Sequence, residues 1–511
     1  MGVPIAVRDL DELTSWHAEW SGLRVAVLGL GATGLAVTDT LRELGAEVLV
    51  LAAEATEERA AIVEVVGARL VLDAGDTAAD GEAETALEKH DPELFVVSPG
   101  YSPNHRRIVW ARDRGIPIWG DIELAWRLRD KLGEPAGWIV VTGTNGKTTT
   151  AQLAEHVLRG AGLRAAAVGN IGVPVLDALR HPDGFDVLVV ELSSFQLHWL
   201  RRAGVGALHP IASVCLNLAN DHLDWHGSAE AYREAKATVY WNTKVACVYN
   251  KADRATIAMV EDAEVQDGAR AIGFGLDTPG PSDFGVVDGI LLDRAFGDDR
   301  HRAALELTTV AELGEAGLAS PHNVLNVLAA CALARAAGVP ITSVRESLGS
   351  FRLDHHRTEA VAFAREILWV NDSKATNPHA AEAALRSFDS VVWVVGGLLK
   401  GVDINSLVEA NAKRLRAAVV IGIDREAVLS AFARHAPEVA VLEVSASQTD
   451  QVMLEAVRLA GGVAFPGDVV LLAPAAASMD QFIDYADRGR RFAAAVTQYL
   501  GGEDGAEDNR T

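Results

Sequence analysis

The sequence predicts an α/β protein of three domains, each built on a mainly parallel sheet, and three observations carry that expectation. Short runs of Val, Ile and Leu recur, each followed by a glycine-containing turn and a stretch of Ala, Leu, Glu and Arg at helical spacing. That is the pattern of βα units whose strands are covered on both faces. One of the turns, 143–149, carries the glycines and the Lys-Thr pair of a phosphate-binding loop. The periodicity also breaks at 129–137, where Arg-Asp-Lys-Leu-Gly-Glu-Pro-Ala-Gly separates the first set of units from the second.

The first set holds the apolar runs 25–28, 48–51 and 94–97 and ends near a helical segment at 121–129, giving a domain at 1–130. The second opens with 138–142, continues through 187–190 and 214–218, and carries a helical stretch at 322–337, giving a domain at 131–353. Within it, 251–310 is rich in Asp and Gly with short β-like pieces and reads as an excursion. The third set, at 367–370, 391–395, 418–423 and 469–472, gives a domain at 354–511 with a hinge near Leu353 and a frayed, solvated tail after Gly501.

Composition bounds the function. The chain has 511 residues, 49% hydrophobic and 23% charged, which is enough apolar material for several cores and unlike a disordered protein. The net charge of -24 argues against a broad basic face, so no nucleic-acid or lipid-surface partner is expected and any polyanion must be gripped locally. Cys215, Cys247 and Cys331 fit no disulfide or zinc spacing, which suits a reducing compartment. The first residues are acidic where a signal peptide is basic and then apolar, and no run approaches the roughly 18 residues of a membrane span, so a cytoplasmic protein is expected.

The strongest local signal is Gly143-Thr144-Asn145-Gly146-Lys147-Thr148-Thr149, directly after a buried-strand pattern and before a helix expected at 149–159, closed by Gly160. A glycine turn lets successive N–H groups point into one concavity, and the helix N-terminus adds its positive end. A triphosphate fits there, with Lys147 reaching the β and γ phosphates and the Thr148 hydroxyl on Mg²⁺. Position 141 is Val rather than the glycine of the longer loop pattern, so this is a shortened form. The competing reading is an ordinary strand-to-helix turn.

Glu191 ends the run 187–190, where an acid would face the crevice of a parallel sheet and ligate Mg²⁺; a surface acid is the alternative. Past the next strand, Asn217, Asn220, Asp221, His222 and Asp224 cluster, with His222 as a second metal contact or a plain hydrogen-bonded loop histidine. Lys236 lies on the apolar stripe of a helix expected at 229–241, with Tyr232 before it and Val239 and Tyr240 after. A buried amine tends to lose its proton or gain a counter-charge, and could form a carbamate with CO₂. Periodicity alone favours a lysine that snorkels to water along Tyr240. In the first domain, Gly29-Leu30-Gly31-Ala32-Thr33-Gly34 resembles a dinucleotide fingerprint, with Glu54 as a ribose partner, and taken alone it is a weak signal.

Taken together, GTNGKTT, ELSSFQL (191–197), NDHLDWHG (220–227), YREAKATVY (232–240), HNVLN (322–326), HHR (355–357), NDSKATN (371–377) and APAAASMDQF (474–483) closely resemble the Mur ligase family. The match covers most of the chain in the same order. The resemblance implies a Rossmann-like N-terminal domain for a uridine nucleotide, a central P-loop ATPase-type domain, and a Rossmann-like C-terminal domain that brings an amino acid. ELSSFQL and NDSKATN point, within the family, to the member that adds D-glutamate to UDP-N-acetylmuramoyl-L-alanine. Carried over by motif, Lys147, Thr148 and Thr149 would hold ATP phosphates and two Mg²⁺ ions, and Asn170, Glu191 and His222 would line that site. Lys236 would be the carbamoylated lysine of the family, which reverses the reading from periodicity. Asn323, Asn326, Arg357 and Asp372 would hold the nucleotide. Lys374, Thr376, Lys400, Ser478 and Tyr485 would face the incoming amino acid or the phosphoryl group. The glycine turn 29–34, with Ser98, Pro99 and Gly100 closing over it, would receive the diphosphate and uracil. Where the family often has an Asp at the tip of the second strand, this chain has Ala52 and Ala53 before Glu54.

The implied reaction is amide formation through an acyl phosphate, by a cytoplasmic enzyme expected to be a monomer. The competing classes are a nicotinamide-dependent oxidoreductase built on GLGATG, another ligase such as a folylpolyglutamate synthase, and a catalytically silent nucleotide-binding regulator.

Overall fold

The structure is a computed structural model that describes residues 8–72, 80–351, 359–399, 402–446 and 448–507. Its strands form three sheets, and their contacts divide the chain into two compact units. One unit comprises Met1–Leu218, Glu230–Glu315 and Asn323–Phe351, the other Ala219–Ala229, Ala316–His322 and Arg352–Thr511.

The first sheet runs, in space, Arg69–Leu72, Glu47–Ala52, Arg24–Leu28, Leu94–Val97, Ile118–Gly120, all parallel. Parallel neighbours require crossovers, and helix Ala32–Glu43 makes the first of them. Strand order reverses between Arg24–Leu28 and Leu94–Val97, so the loops after these two strands face each other across the crevice where such sheets take ligands. Strands Arg69–Leu72 and Ile118–Gly120 escaped the sequence reading: the first is amphipathic and the second only three residues long.

The second sheet has nine strands, in the order Leu305–Thr309, Ile290–Asp293, Asp283–Val287, Arg270–Phe274, Ala246–Asn250, Ala212–Cys215, Gly137–Thr142, Val187–Glu191, Ala165–Gly169. The strand leading into the phosphate loop therefore lies between the two whose ends carry Glu191 and the polar cluster. Val141 pairs with Glu191 and Thr142 with Cys215, so the three strand ends are level. The segment 251–310, expected as an excursion on this domain, is continuous with its sheet. It extends this sheet by two parallel strands, Arg270–Phe274 and Asp283–Val287, and two antiparallel ones, Ile290–Asp293 and Leu305–Thr309. Asp288 and Gly289 both have positive φ, 49° and 78°, the two-residue turn a tight hairpin requires.

Helix Pro321–Ala336 is buried along nearly its whole surface, which explains its unpatterned apolar sequence. The helix after the phosphate loop spans Lys147–Gly160, two residues earlier than expected, and Gly160 lies inside it. Between the first two sheets, Arg180 pairs with Asp39 at 2.5 Å and Glu43 at 2.9 Å, and the Trp126 and Trp138 rings meet edge to face at 5.2 Å.

The third sheet, in the second unit, runs Glu359–Ala364, Ile367–Asn371, Val469–Leu472, Val391–Gly396, Leu415–Ile421, Ala440–Glu443, with only the first strand antiparallel. The expected strand 418–423 starts earlier, at Leu415, and stops at Ile421. The C-terminal helix continues from Tyr485 to Glu507, past the point where fraying was expected. Leu353, Arg357 and Lys400 lie outside the described residues.

Candidate active site

The phosphate loop is shaped by two glycines with positive φ, Gly143 at 147° and Gly146 at 83°. A Cβ on Gly146 would stand 2.3 Å from Asn326 Oδ1, so helix Pro321–Ala336 presses directly on the loop. Asn323 and Asn326 are both buried there, with Asn326 Nδ2 donating to Asn323 Oδ1 at 3.4 Å. Asn217, at the end of the neighbouring strand, clasps the loop from the other side. Its carbonyl accepts from Thr144 N at 3.0 Å, its Oδ1 from Asn145 N at 2.9 Å, and its Nδ2 donates to Asn145 O at 3.1 Å. Asn217 belonged to the polar cluster read past that strand, but its bond to the loop needs the strand order, which spacing does not encode.

Lys147 Nζ donates to the carbonyls of Gly143 and Thr144, both at 2.9 Å, which holds its charge over the loop. Thr148 Oγ1 donates to Glu191 Oε2 at 2.8 Å, and Asn170 Nδ2 donates to Glu191 Oε1 at 3.0 Å. Thr148 and Glu191 are buried, 5% and 2% exposed. The structure thus brings together Lys147, Thr148, Asn170 and Glu191. The donor set fits Mg²⁺, which takes hard oxygen ligands, one or two of them carboxylates, and the rest from phosphate and water.

Lys236 does not snorkel. It is 2% exposed, and its Nζ donates to Thr142 Oγ1 at 3.0 Å and Gly143 O at 2.9 Å. Thr142 Oγ1 in turn donates to Leu192 O at 2.7 Å, one residue beyond Glu191. The helix carrying Lys236 ends at Ala237 and tightens into a 3₁₀ turn over Thr238–Tyr240, where Tyr240 is fully buried rather than a path to water. Tyr232 hydroxyl meets Thr144 Oγ1 at 3.0 Å, a contact that the apolar stripe conceals. Burial pushes the nearby Cys215 thiol up to about 12, so it is a packing group and not a nucleophile.

In the first sheet, a Cβ on Gly34 would fall 2.1 Å from Gly29 O, and one on Gly29 2.7 Å from Ser98 Oγ. The 29–34 turn and the 98–100 turn are therefore in contact across the switch point, and Ser98 Oγ is a buried hydroxyl with no hydrogen-bond partner among the described residues. Gly31 caps helix Ala32–Glu43, with Thr33 in its first turn, whereas Glu54 is exposed past its strand.

In the second unit, Asp372 N bonds Leu472 O at 2.8 Å and Thr376 N bonds Lys374 O at 2.8 Å, so the segment after Ile367–Asn371 is tightly turned. Lys374 Nζ lies 5.0 Å from the Tyr485 ring centroid. Buried Arg488 fixes this turn: it donates to Ser373 Oγ, Ser373 O and Ala476 O at 3.0, 2.7 and 3.1 Å. Ser478, 4% exposed, follows on the loop past Val469–Leu472. Lys374, Thr376, Ser478 and Tyr485 thus gather at the carboxyl end of the third sheet. His222 belongs to the same unit, in left-handed backbone (φ 52°), with Asp221 Oδ2 3.5 Å from its Nε2.

A mainly parallel sheet with an interior strand that feeds a glycine loop and helix N-terminus, beside a buried hydroxyl and carboxylate, is a P-loop nucleotide-binding fold. Residues 141–334 match the Mur ligase middle domain, and 356–476 match the Mur ligase glutamate ligase domain. The chain is 63% identical over 505 residues to the UDP-N-acetylmuramoylalanine--D-glutamate ligase of Leifsonia xyli, covering 98% of this chain and 96% of that protein. It is 49% identical to the enzyme of the same name from Streptomyces coelicolor, covering 94% and 99%. The chain belongs to the Mur ligase family. Its fold is shared with UDP-N-acetylmuramate-alanine ligase MurC from Thermotoga maritima, at a TM-score of 0.55 and 20% identity over 94% of this chain and all of that one. A pseudomurein peptide ligase type C from Methanothermus fervidus gives 0.54 and 16%, over 92% and 99%.

Proposed function

We propose that the protein joins D-glutamate to UDP-N-acetylmuramoyl-L-alanine at the expense of ATP, in cytoplasmic synthesis of the peptidoglycan precursor. The relatives named for that reaction align along nearly the whole chain. The observation that carries the chemistry is the buried Thr148–Glu191 pair at the mouth of the phosphate loop. The proposed division of labour is 1–130 for the UDP-sugar, 131–353 for ATP, and 354–511 for the amino acid.

The 29–34 and 98–100 turns would take the diphosphate, with Ser98 Oγ as a donor. The loop amides of 143–149 and Lys147 would take the ATP phosphates, and Asn323, Asn326, Arg357 and Asp372 the rest of the nucleotide. Thr148, Glu191, His222 and a carbamoylated Lys236 would hold two Mg²⁺ ions. Bound Mg²⁺ supplies charge neutralisation at the phosphate oxygens. A peptide carboxylate oxygen attacks the γ-phosphorus and ADP leaves; Lys147 and Lys374 offset the meeting of like charges. The glutamate amine then attacks the acyl carbon, loses a proton, and phosphate departs. Lys374, Thr376, Lys400, Ser478 and Tyr485 would orient that amine, and excluding water at that stage would spare the acyl phosphate from hydrolysis.

An amino-acid panel assayed for phosphate release with ATP and UDP-N-acetylmuramoyl-L-alanine tests this. Only D-glutamate should respond, and Lys147→Ala should abolish the response; release with another amino acid, or wild-type turnover in Lys147→Ala, would refute it.

A further inference from the structure

We infer that Asp121 is a positioning residue for the metal-binding carboxylate, acting through Gln196. Asp121 is the first residue after strand Ile118–Gly120 of the first sheet and opens helix Asp121–Arg127. Its Oδ2 accepts from Gln196 Nε2 at 3.0 Å, across the junction between the first and second sheets. Both residues are buried, at 7% and 3% exposure. The other end of the same amide is committed as well: Gln196 Oε1 accepts from Ser193 N at 3.1 Å, and Ser193 Oγ accepts from Gln196 N at 3.1 Å. This capping box sets where helix Ser194–His198 begins. Ser193 stands two residues past Glu191, and Leu192 between them is held by Leu192 N to Val141 O at 2.9 Å and by Thr142 Oγ1 to Leu192 O at 2.7 Å.

Glu191 must present one oxygen to Thr148 and the other to Asn170, so a small rotation of 191–193 misplaces both. A glutamine with its amide nitrogen and oxygen both bonded has one orientation, and Asp121 is the group that fixes it. The first domain thereby reaches the phosphate site through a hydrogen-bonded path from Asp121 by way of Gln196 and Ser193. Asp121 is buried at the start of its helix, where the amide ends favour a carboxylate.

This rests on Glu191 being a metal ligand. The test is a Mg²⁺ titration of steady-state rate at saturating ATP and UDP-sugar, on Gln196→Met, Asp121→Ala, Asp121→Asn, the Asp121→Ala/Gln196→Met double variant and Glu191→Gln. Gln196→Met and Asp121→Ala should each raise the half-saturating Mg²⁺ concentration about tenfold, the worth of one hydrogen bond to a charged group. The KM for D-glutamate should stay within about twofold. Asp121→Asn, which keeps an acceptor, should restore most of the Mg²⁺ response, and the double variant should be no worse than the worse single one. Additive effects, or a lowered melting temperature with an unchanged Mg²⁺ response, would overturn the inference. If Asp121→Ala fails to fold, the near-isosteric Gln196→Met decides. A wild-type Mg²⁺ response in Glu191→Gln would instead remove the metal assignment on which the inference stands.

Discussion

Thr148 and Glu191 meet through one hydrogen bond of 2.8 Å, donated by the hydroxyl to the carboxylate. The proton is spent on Glu191, so the oxygen lone pairs stay available to a cation, which supports the proposed metal site. Thr148→Val keeps the shape and removes the hydroxyl. It should cut kcat/KM by about a hundredfold or more, in the range seen when a charge-stabilising group is lost. Thr148→Ser should stay within about tenfold. Phosphate release at several Mg²⁺ concentrations reads both, and equal losses in the two variants would mean that bulk, not the hydroxyl, is what matters.

Lys236 is buried against Thr142 and Gly143 at the base of the same loop. If it carries a carbamate, Lys236→Ala should lose nearly all activity, and added formate or acetate should recover part of it by replacing the anionic oxygens. Lys236→Arg cannot form the carbamate and should stay inactive. Recovery in Lys236→Arg, or full activity in Lys236→Ala without added acid, would leave Lys236 a structural cation.

Much of this site was legible because its chemistry is local in sequence. The loop 143–149 declares itself through its glycines and Lys-Thr pair, and Glu191 through its place at a strand end. What could not be read is whatever depends on which strand lies beside which. Asn217 bonds Asn145 only because Ala212–Cys215 is the neighbour of Gly137–Thr142. Lys236 was misread from periodicity because a stripe says which face is apolar and not whether a pair of acceptors waits beneath it. Asp121 and Gln196 stand 75 residues apart, on helices that follow strands of different sheets, and no spacing links them. The hairpin at 288–289 is the opposite case: Asp-Gly between apolar runs was there to be used, and segment composition masked it.

Asp121 and Glu123 make stability depend on pH. Desolvation raises both carboxyls to about 6, Asp121 from 3.8 and Glu123 from 4.5, and for Glu123 it outweighs the Arg127 guanidinium 2.9 Å away. A carboxyl whose folded pKa is raised contributes stability that is complete below its unfolded value and is lost as pH climbs through the folded one. The window is therefore about pH 4 to 7. For Asp121 alone, the change from 3.8 to about 6 corresponds to on the order of 3 kcal/mol. Urea unfolding of wild type and Asp121→Asn at pH 4.5 and 7.5 should show the variant gaining relative to wild type at the higher pH. A difference that does not move with pH would mean Asp121 stays ionised at little cost.

Asp293 and Arg335 tie the added hairpin to the helix that presses on the phosphate loop. Asp293 is fully buried; its Oδ2 accepts from Arg335 Nε at 3.0 Å, and its Oδ1 from the amides of Ala295 and Phe296 at 2.7 and 2.9 Å. Arg335 also donates to Val339 O and Phe296 O, so the guanidinium cannot leave for water without breaking a helix end. Asp293→Ala strands that cation and two amides, and should cost about 3–5 kcal/mol, the penalty for halving a buried ion pair. Asp293→Asn keeps the acceptor for the amides and should cost less. Because Asn323 and Asn326 ride on the same helix, the KM for ATP should rise in Asp293→Ala while the KM for D-glutamate holds. Denaturant unfolding gives the first number and initial rates the second. An Asp293→Ala protein as stable as wild type would show that the pair is solvated and holds nothing in place.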